Sequence, residues 1–205
     1  MVNELRIKVL HQYGLYYISS QNGLMGEMDD AALLAQFRAE HSKEAGFSGI
    51  VRKYQEKLYW HIRRMVIDHD DADDVLQNVF IKVWKGLDGF REDARLFTWL
   101  YRIATNESLG FLEQRKKKQA IPLSEAGELT ASLKADKQFD AGKLEWKLQM
   151  AISQLPEKQR LVFNMRYFDE MPYQQISEIL NTSEGALKAS YHHAAKKIED
   201  FILNH

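Results

Sequence analysis

From Asp29 onward, apolar residues recur at three- and four-residue intervals along most of the chain, and strand-like alternation is nearly absent. "DDAALLAQFRAE" predicts a helix with acidic residues at its positive end, and "FSGIVRKYQEKLYWHIRRMV" a second, capped by Ser48. Asp70 to Asp74 open a third. After the loop "GLDGFREDARLF", "TWLYRIATNESLGFLEQRKKK" predicts a fourth, with Thr98 near its cap. Apolar content then falls from Gln119 to Lys143, as in a linker. Beyond it, "LEWKLQMAISQL", "PEKQRLVFNMRYF", "PYQQISEIL" and "SEGALKASYHHAAKKIEDFIL" predict four more helices, with Pro156 placed where a helix can begin. The expected fold is all-α: two small helical domains joined by a flexible linker. The expected boundaries are an extension at 1–28, a first domain at 29–118, a linker at 119–143 and a second domain at 144–205.

The third helix carries a surplus. Leu76, Val79, Val83 and Leu87 already form one apolar stripe in and after "DVLQNVFIKVWK", yet Val75, Phe80, Ile81 and Trp84 are apolar as well. Either the helix is buried on nearly all sides within its own domain, or one side is kept for another protein.

Composition narrows the setting. The 205 residues are 45% hydrophobic and 28% charged, enough for a real core, and the absence of cysteine removes disulfides and thiolate ligands. No run approaches the roughly eighteen apolar residues of a membrane span, and "MVNELRIKVLHQYGLYYISSQ" lacks the continuous apolar core of a signal peptide, so the expected address is cytoplasmic. The formal net charge of -1 hides polarised segments: Asp68, Asp70, Asp71, Asp73 and Asp74 crowd one place, and Arg115 to Lys118 another.

The strongest local motif is "YQQISEIL" followed by "NTSEGALKASYHHAAKKI". Ile176, Ile179 and Leu180 face inward, Asn181 and Thr182 turn the chain, and Ser183 caps a longer helix that points Leu187, Tyr191, Ala194 and Ile198 inward. This is the pattern of a helix-turn-helix, whose second helix presents its early residues to base edges in the major groove. An ordinary helical hairpin with a solvated outer face fits the same spacing. Adjacent His192 and His193 point about 100 degrees apart on a helix, so they do not pair as metal ligands. The segment "DHDDADDVLQNV" places Ala72 and Asp73 where a calcium loop needs an acidic residue and glycine. No metal or cofactor is expected, nor a small-molecule substrate. HExxH, a Gly-rich phosphate loop and a nucleophile elbow are all missing, which leaves a hydrolase reading without support.

In the first domain, "FREDARLFTWLYRIATNES" and "GFLEQRKKK" surround one loop and one helix with aromatic and basic groups, a combination that stacks unpaired bases and holds phosphates. Trp99, Leu100 and Ile103 suit the interior instead. Arg91, Arg95, Arg102, Asn106 and the basic run remain for a ligand, although "RKKK" also suits a solvated helix end that complements the dipole.

Together these segments resemble the extracytoplasmic-function (ECF) sigma factors of bacterial RNA polymerase. Three motifs carry the resemblance in the family's order: "DADDVLQNVFIKVWKGLDGF", "FTWLYRIATNESLGFL" with its basic end, and "LPEKQRLVFNMRYFDEMPYQQISEILNTSEGALKASYHHAAKKI". The resemblance covers nearly everything from Asp29 to Ile202 except the linker, and implies a region 2-like bundle and a region 4-like helix-turn-helix domain. It implies that Asp74, Gln77, Asn78, Ile81 and Trp84 dock on the coiled coil of the largest polymerase subunit, so that the surplus apolar side is an interface. It implies further that Phe90, Arg91, Phe97, Arg102, Asn106, Lys116 and Lys117 lie along the minus-10 strand, one of whose bases the loop "GFREDARLF" captures in flipped form. Lys188, Ala189 and His192 would read the minus-35 element, with Lys196 and Lys197 nearer the phosphates. The linker would thread through the polymerase. The implied partners are core RNA polymerase, promoter DNA and an anti-sigma factor, the last often membrane-anchored.

The chain also departs from the pattern. Ser190, His193 and Ala195 stand where many relatives carry arginine, which predicts weaker phosphate attraction and a different base preference. The extension before Asp29 matches nothing in the family. Either Met25 or Met28 is the true start, the reading slightly favoured, or Tyr13, Leu15, Tyr16, Tyr17 and Ile18 add a packed element. The expected function is that of an alternative sigma factor, not an enzyme. The competing one is a conventional helix-turn-helix regulator that binds duplex DNA without polymerase, which leaves the aromatic loop and the doubly apolar helix unexplained.

Overall fold

The computed structural model describes residues 29–39, 41–118 and 143–204. The extension at 1–28 and the expected linker apart from Lys143 lie outside these residues. Eight α-helices and one 3₁₀ turn make up the regular structure of the described residues: α1 Asp30–Arg38, α2 Lys43–Val66, α3 His69–Gly86, the turn Leu87–Gly89, α4 Leu96–Lys118, α5 Lys143–Ser153, α6 Glu157–Tyr167, α7 Tyr173–Leu180 and α8 Glu184–Asn204.

Local chemistry sets most of the ends. Asp29 accepts from the Ala32 N–H at 2.7 Å and Asp68 from the Asp71 N–H at 3.1 Å, so each supplies one of the acceptors that a helix start lacks. Ser183 does the same for Ala186 at 3.4 Å, as expected. Two expected caps are displaced. α2 begins five residues before Ser48, which lies inside the helix behind Ser42 at its N-cap. α4 begins at Leu96, and Thr98 is buried with its hydroxyl unpartnered among the described residues. In both cases tertiary packing extends the helix past a residue whose local preference is to start one.

The first four helices form a bundle in which α1, α3 and α4 pack on α2, and α3 also packs on α4. Ile50, Tyr54, Leu58, His61, Ile62 and Met65 repeat every three or four residues along α2 and are all buried. Gly46 lets α1 approach: a Cβ there would overlap the backbone of Phe37. In the last four helices, α8 is the central partner of α5, α6 and α7. Leu148, Ile152, Leu155, Phe163, Tyr167, Ala194 and Ile198 form a cluster of their own there. Asn181 makes the turn between α7 and α8 at φ 49, a left-handed conformation that asparagine tolerates better than most residues.

The two helical units also pack on each other. Leu161, Val162, Met165, Met171, Ile176, Ile179 and Leu187 join the buried cluster that contains the core of the first bundle. α7 lies on α4, and α6 on α2.

Candidate nucleic-acid and partner interfaces

Helix α3 resolves its own surplus. Its buried stripe is Ala72, Val75, Val79 and Val83, while the expected stripe member Leu76 is only half-buried and Val75, expected as surplus, is core. Phe80 is half-buried. Ile81 and Trp84 remain, 45% and 37% exposed, and Asp74, Gln77 and Asn78 are exposed along the same helix. At spacings of three and four residues these five share one side of α3. Trp84 is nevertheless anchored: it meets Phe37 edge-on at 5.7 Å and Phe47 at 4.9 Å between ring centroids, and the Lys43 ammonium lies 5.5 Å from its ring. Phe37, Lys43 and Phe47 come from α1 and α2. No periodicity within α3 points to them, because a contact between helices leaves no mark on the pattern of either.

The second surface surrounds the start of α4. An open cleft of about 630 Å³ is lined by Asp30, Leu34, Phe90, Glu92, Arg95, Phe97 and Gln175 among others. Phe90 is buried against Trp99, with 5.1 Å between ring centroids, and lines the cleft with little exposed surface. Phe97 is half-buried and packs at a tilt on Tyr101, with 4.3 Å between ring centroids. Glu92 sits at φ 62 and pairs with Arg38, which also donates to the Phe90 carbonyl at 3.1 Å, so the loop is held from α1. Arg91 and Asn106 are exposed. Arg102 is exposed but donates to the Glu178 carbonyl of α7 at 2.6 Å, and Lys116 pairs with Glu157 of α6 at 3.0 Å. Lys117 is exposed at the end of the helix. The expected minus-10 residues therefore run from the cleft along α4. Gln175, which completes the cleft, lies some eighty residues from the loop and carries no sequence signal. Of the interior residues expected on α4, Leu100 is fully buried, whereas Trp99 and Ile103 are half-buried.

The third surface is the outer face of α8, where Lys188, Ala189, His192 and Lys196 are all exposed. Lys188 is steered by Glu184 at 3.4 Å and lies 5.6 Å from the Tyr173 ring of α7. Lys197 is exposed too, but bonds Gln159 of α6 at 3.1 Å and so leans toward its own domain.

Two groups have displaced acidities. Burial, reinforced by the charge of Asp68 and partly opposed by Arg115, raises the Asp71 carboxyl above its ordinary value. Burial together with the negative charge of Asp169 holds the Tyr101 phenol far above its ordinary value, so it stays protonated. No cluster of His and carboxylate groups able to hold a metal occurs among the described residues, and no helix there is long and apolar enough to cross a membrane.

Against known proteins, Sigma-70 region 2 matches residues 50–118 and Sigma-70 region 4 matches residues 145–198. The chain is 32% identical over 157 residues to the ECF RNA polymerase sigma factor SigW of Bacillus subtilis, covering 71% of this chain and 83% of that one. It is 29% identical over 171 residues to the RNA polymerase sigma-H factor of Pseudomonas aeruginosa, covering 79% and 89%. Its fold matches that of the sigma factor RpoE from Bartonella quintana, solved in complex with the anti-sigma factor NepR, with a TM-score of 0.60 at 18% identity over 76% of this chain and 96% of that one. Two matched regions in the order seen here, with this identity over most of the length of a full relative, settle the family: the chain belongs to the ECF sigma factors.

Proposed function

We infer that the protein acts as an alternative sigma factor: it binds core RNA polymerase, directs it to specific promoters and helps to open the minus-10 element. The observation that carries this reading is the separation of three exposed surfaces on one chain, of which only the last is needed by a regulator that binds duplex DNA alone. On α3, Asp74, Gln77, Asn78, Ile81 and Trp84 offer an aromatic anchor with polar groups that fix register, a form suited to a helical partner on the polymerase. At the start of α4, the cleft beside Phe90 and Phe97 is the place for a flipped base of the non-template strand, and Arg91, Arg102, Asn106, Lys116 and Lys117 would follow that strand. Extrusion of a base costs a few kcal/mol, which stacking and hydrogen bonds in the pocket offset. On α8, Lys188, Ala189 and His192 would read the minus-35 element, and Lys196 and Lys197 would hold phosphates.

The family is one of transcription initiation factors, and this member does no covalent chemistry in our reading: promoter opening draws on binding energy alone. It works in the cytoplasm, where its polymerase is. An anti-sigma factor, of the kind bound to the solved RpoE, holds it inactive by covering the surfaces named above. A pull-down under uninduced conditions that recovers polymerase and no inhibitory protein would remove that partner.

The decisive test is reconstituted transcription from a pool of genomic promoter fragments with purified core polymerase and this protein, with starts mapped by sequencing. Discrete starts that require the protein are expected, with shared upstream sequences that define both elements. Specific operator binding by the protein alone, with no new starts, would establish the conventional regulator instead.

A further inference from the structure

The nine residues of α1 precede the stretch that matches Sigma-70 region 2, yet both ends of this helix meet the loop at the start of α4. At its first turn Asp30, Ala31 and Leu34 form one wall of the cleft. At its last turn Arg38 reaches across to the loop, where its guanidinium donates to the Phe90 carbonyl at 3.1 Å and pairs with the Glu92 carboxylate. Packing fixes the helix in place: Leu33, Leu34 and Phe37 are buried, and Asp30 accepts from the Tyr54 hydroxyl of α2 at 2.7 Å and pairs with Lys53 at 2.9 Å. Lys43, at the start of α2, pins the entry to the loop. Its ammonium holds both carboxylate oxygens of Asp88, in the 3₁₀ turn, at 2.7 and 2.8 Å and lies 4.8 Å from the Phe37 ring.

The loop needs such support. Glu92 holds φ 62, a left-handed conformation that costs energy for a residue with a Cβ. Glutamate also lacks the short polar side chain that lets asparagine or aspartate bond locally in that region. Between the buried Phe90 and Leu96 the sequence Arg-Glu-Asp-Ala-Arg has no large apolar residue to hold the backbone down. The rim of the cleft is therefore kept in an unfavourable shape by side chains from the end of α1 and the start of α2.

We propose that Arg38 is a positioning residue for promoter opening: from the end of α1 it holds the loop in the left-handed shape that forms the cleft, with Lys43 as the second anchor. A captured base then meets a site already built, and the cost of ordering the loop is not charged to the opening step. Docking through α3 and duplex reading through α8 use other faces, so they do not depend on Arg38. The role in opening rests on the reading of the cleft as the place of the flipped base; the brace itself does not.

The two side chains of the pair are 47% and 48% exposed, so Arg38→Ala should keep the parent chain's helical circular dichroism and melting profile. In the free full-length chain, backbone hydrogen exchange in a peptide spanning 87–95, read by mass spectrometry, should quicken roughly fivefold in Arg38→Ala, the scale of one exposed charged pair. Unchanged exchange overturns the brace. In holoenzyme assembled with core polymerase on a promoter mapped by reconstituted transcription, opening is followed by permanganate reactivity of unpaired thymines in the minus-10 element. Its rate should fall by roughly the same factor, while retention of core polymerase and protection of the upstream element stay at the parent level. The same substitution is then made in a Glu92→Gly background, where the pair is already absent and glycine takes φ 62 without steric cost. There Arg38→Ala should slow opening by less than about twofold. A loss that persists in full means that Arg38 acts on the DNA directly and overturns the positioning role. Normal opening despite faster exchange overturns it too, as does a parallel loss of docking and upstream protection, which marks general damage to the fold. If exchange responds as expected but the parent chain gives no opening that depends on it, the brace stands and the promoter assignment fails.

Discussion

Trp84 shows how one side chain serves two ends. Its contacts with Phe37 and Phe47 place part of the ring in the first bundle, and its exposed edge lies on the face assigned to polymerase. Trp84→Ala is therefore expected to cost about 1–3 kcal/mol of stability by urea denaturation as well as to weaken polymerase binding. Ile81, more exposed, separates the two effects: Ile81→Ala should change stability by no more than about 0.5 kcal/mol yet lower the amount of core polymerase retained in a pull-down. Asp71 carries a pH signature. Its folded acidity is weaker than its unfolded one because burial and Asp68 oppose the charge more than Arg115 supports it, so the folded state holds the proton more tightly. Its contribution to stability is fullest below the ordinary carboxylate value of 3.8 and is lost as pH rises through the raised folded value. Asp71→Asn should accordingly melt at or above the parent chain at pH 7, with the advantage fading on acidification; a variant that melts lower at pH 7 and recovers in acid would show the Arg115 pair to dominate. Lys188 is held between Glu184 and Tyr173; if it reads the upstream element as proposed, Lys188→Ala should alter the set of promoters mapped in reconstituted transcription while total polymerase binding stays constant.

At the scale of elements, the helices follow from apolar spacing and from caps such as Asp29, Asp68 and Ser183, but their ends do not always obey local preference. Ser48 and Thr98 lie inside helices because neighbouring turns bury apolar side chains on the same stripe, and that burial outweighs the few tenths to about 2 kcal/mol of a cap. The face of α3 is legible only in part: two candidate stripes overlap in the sequence, and packing on α2 and α4 selects between them, burying Val75, Val79 and Val83 fully and leaving Leu76 partly covered at the edge of the same core. Two backbone positions test the elements directly. Asn181→Val should destabilise the second unit by about 1–2 kcal/mol, since a β-branched residue resists the left-handed turn, whereas Asn181→Gly should be nearly neutral in thermal melts.

For the whole molecule, the expected linker reads as a division into two domains, and nothing in its composition announces that the halves share buried apolar surface. That surface, from Leu58 and Ile62 through Leu161 and Met165 to Ile176 and Leu187, couples them. The free chain is expected to unfold in one cooperative transition, with fluorescence and circular dichroism coincident. Two resolved transitions would mean that the cores are energetically separate. Gln175, Asp169 and Glu178 acquire their roles only at this scale, because each meets a residue some seventy to more than a hundred positions away, beyond the reach of any periodic or local signal.

The all-helical class, the turn at Asn181 and Thr182, and the family could be read from the chain alone, since these depend on spacing within a few residues and on motifs in a set order. Packing between helices fixes which side of α3 stays in water, braces Trp84 from α1 and α2, and brings the second unit onto Arg102 and His61. Those outcomes depend on which surfaces meet after the chain has turned back on itself, and apolar burial, which drives the meeting, has no direction until neighbouring helices supply one.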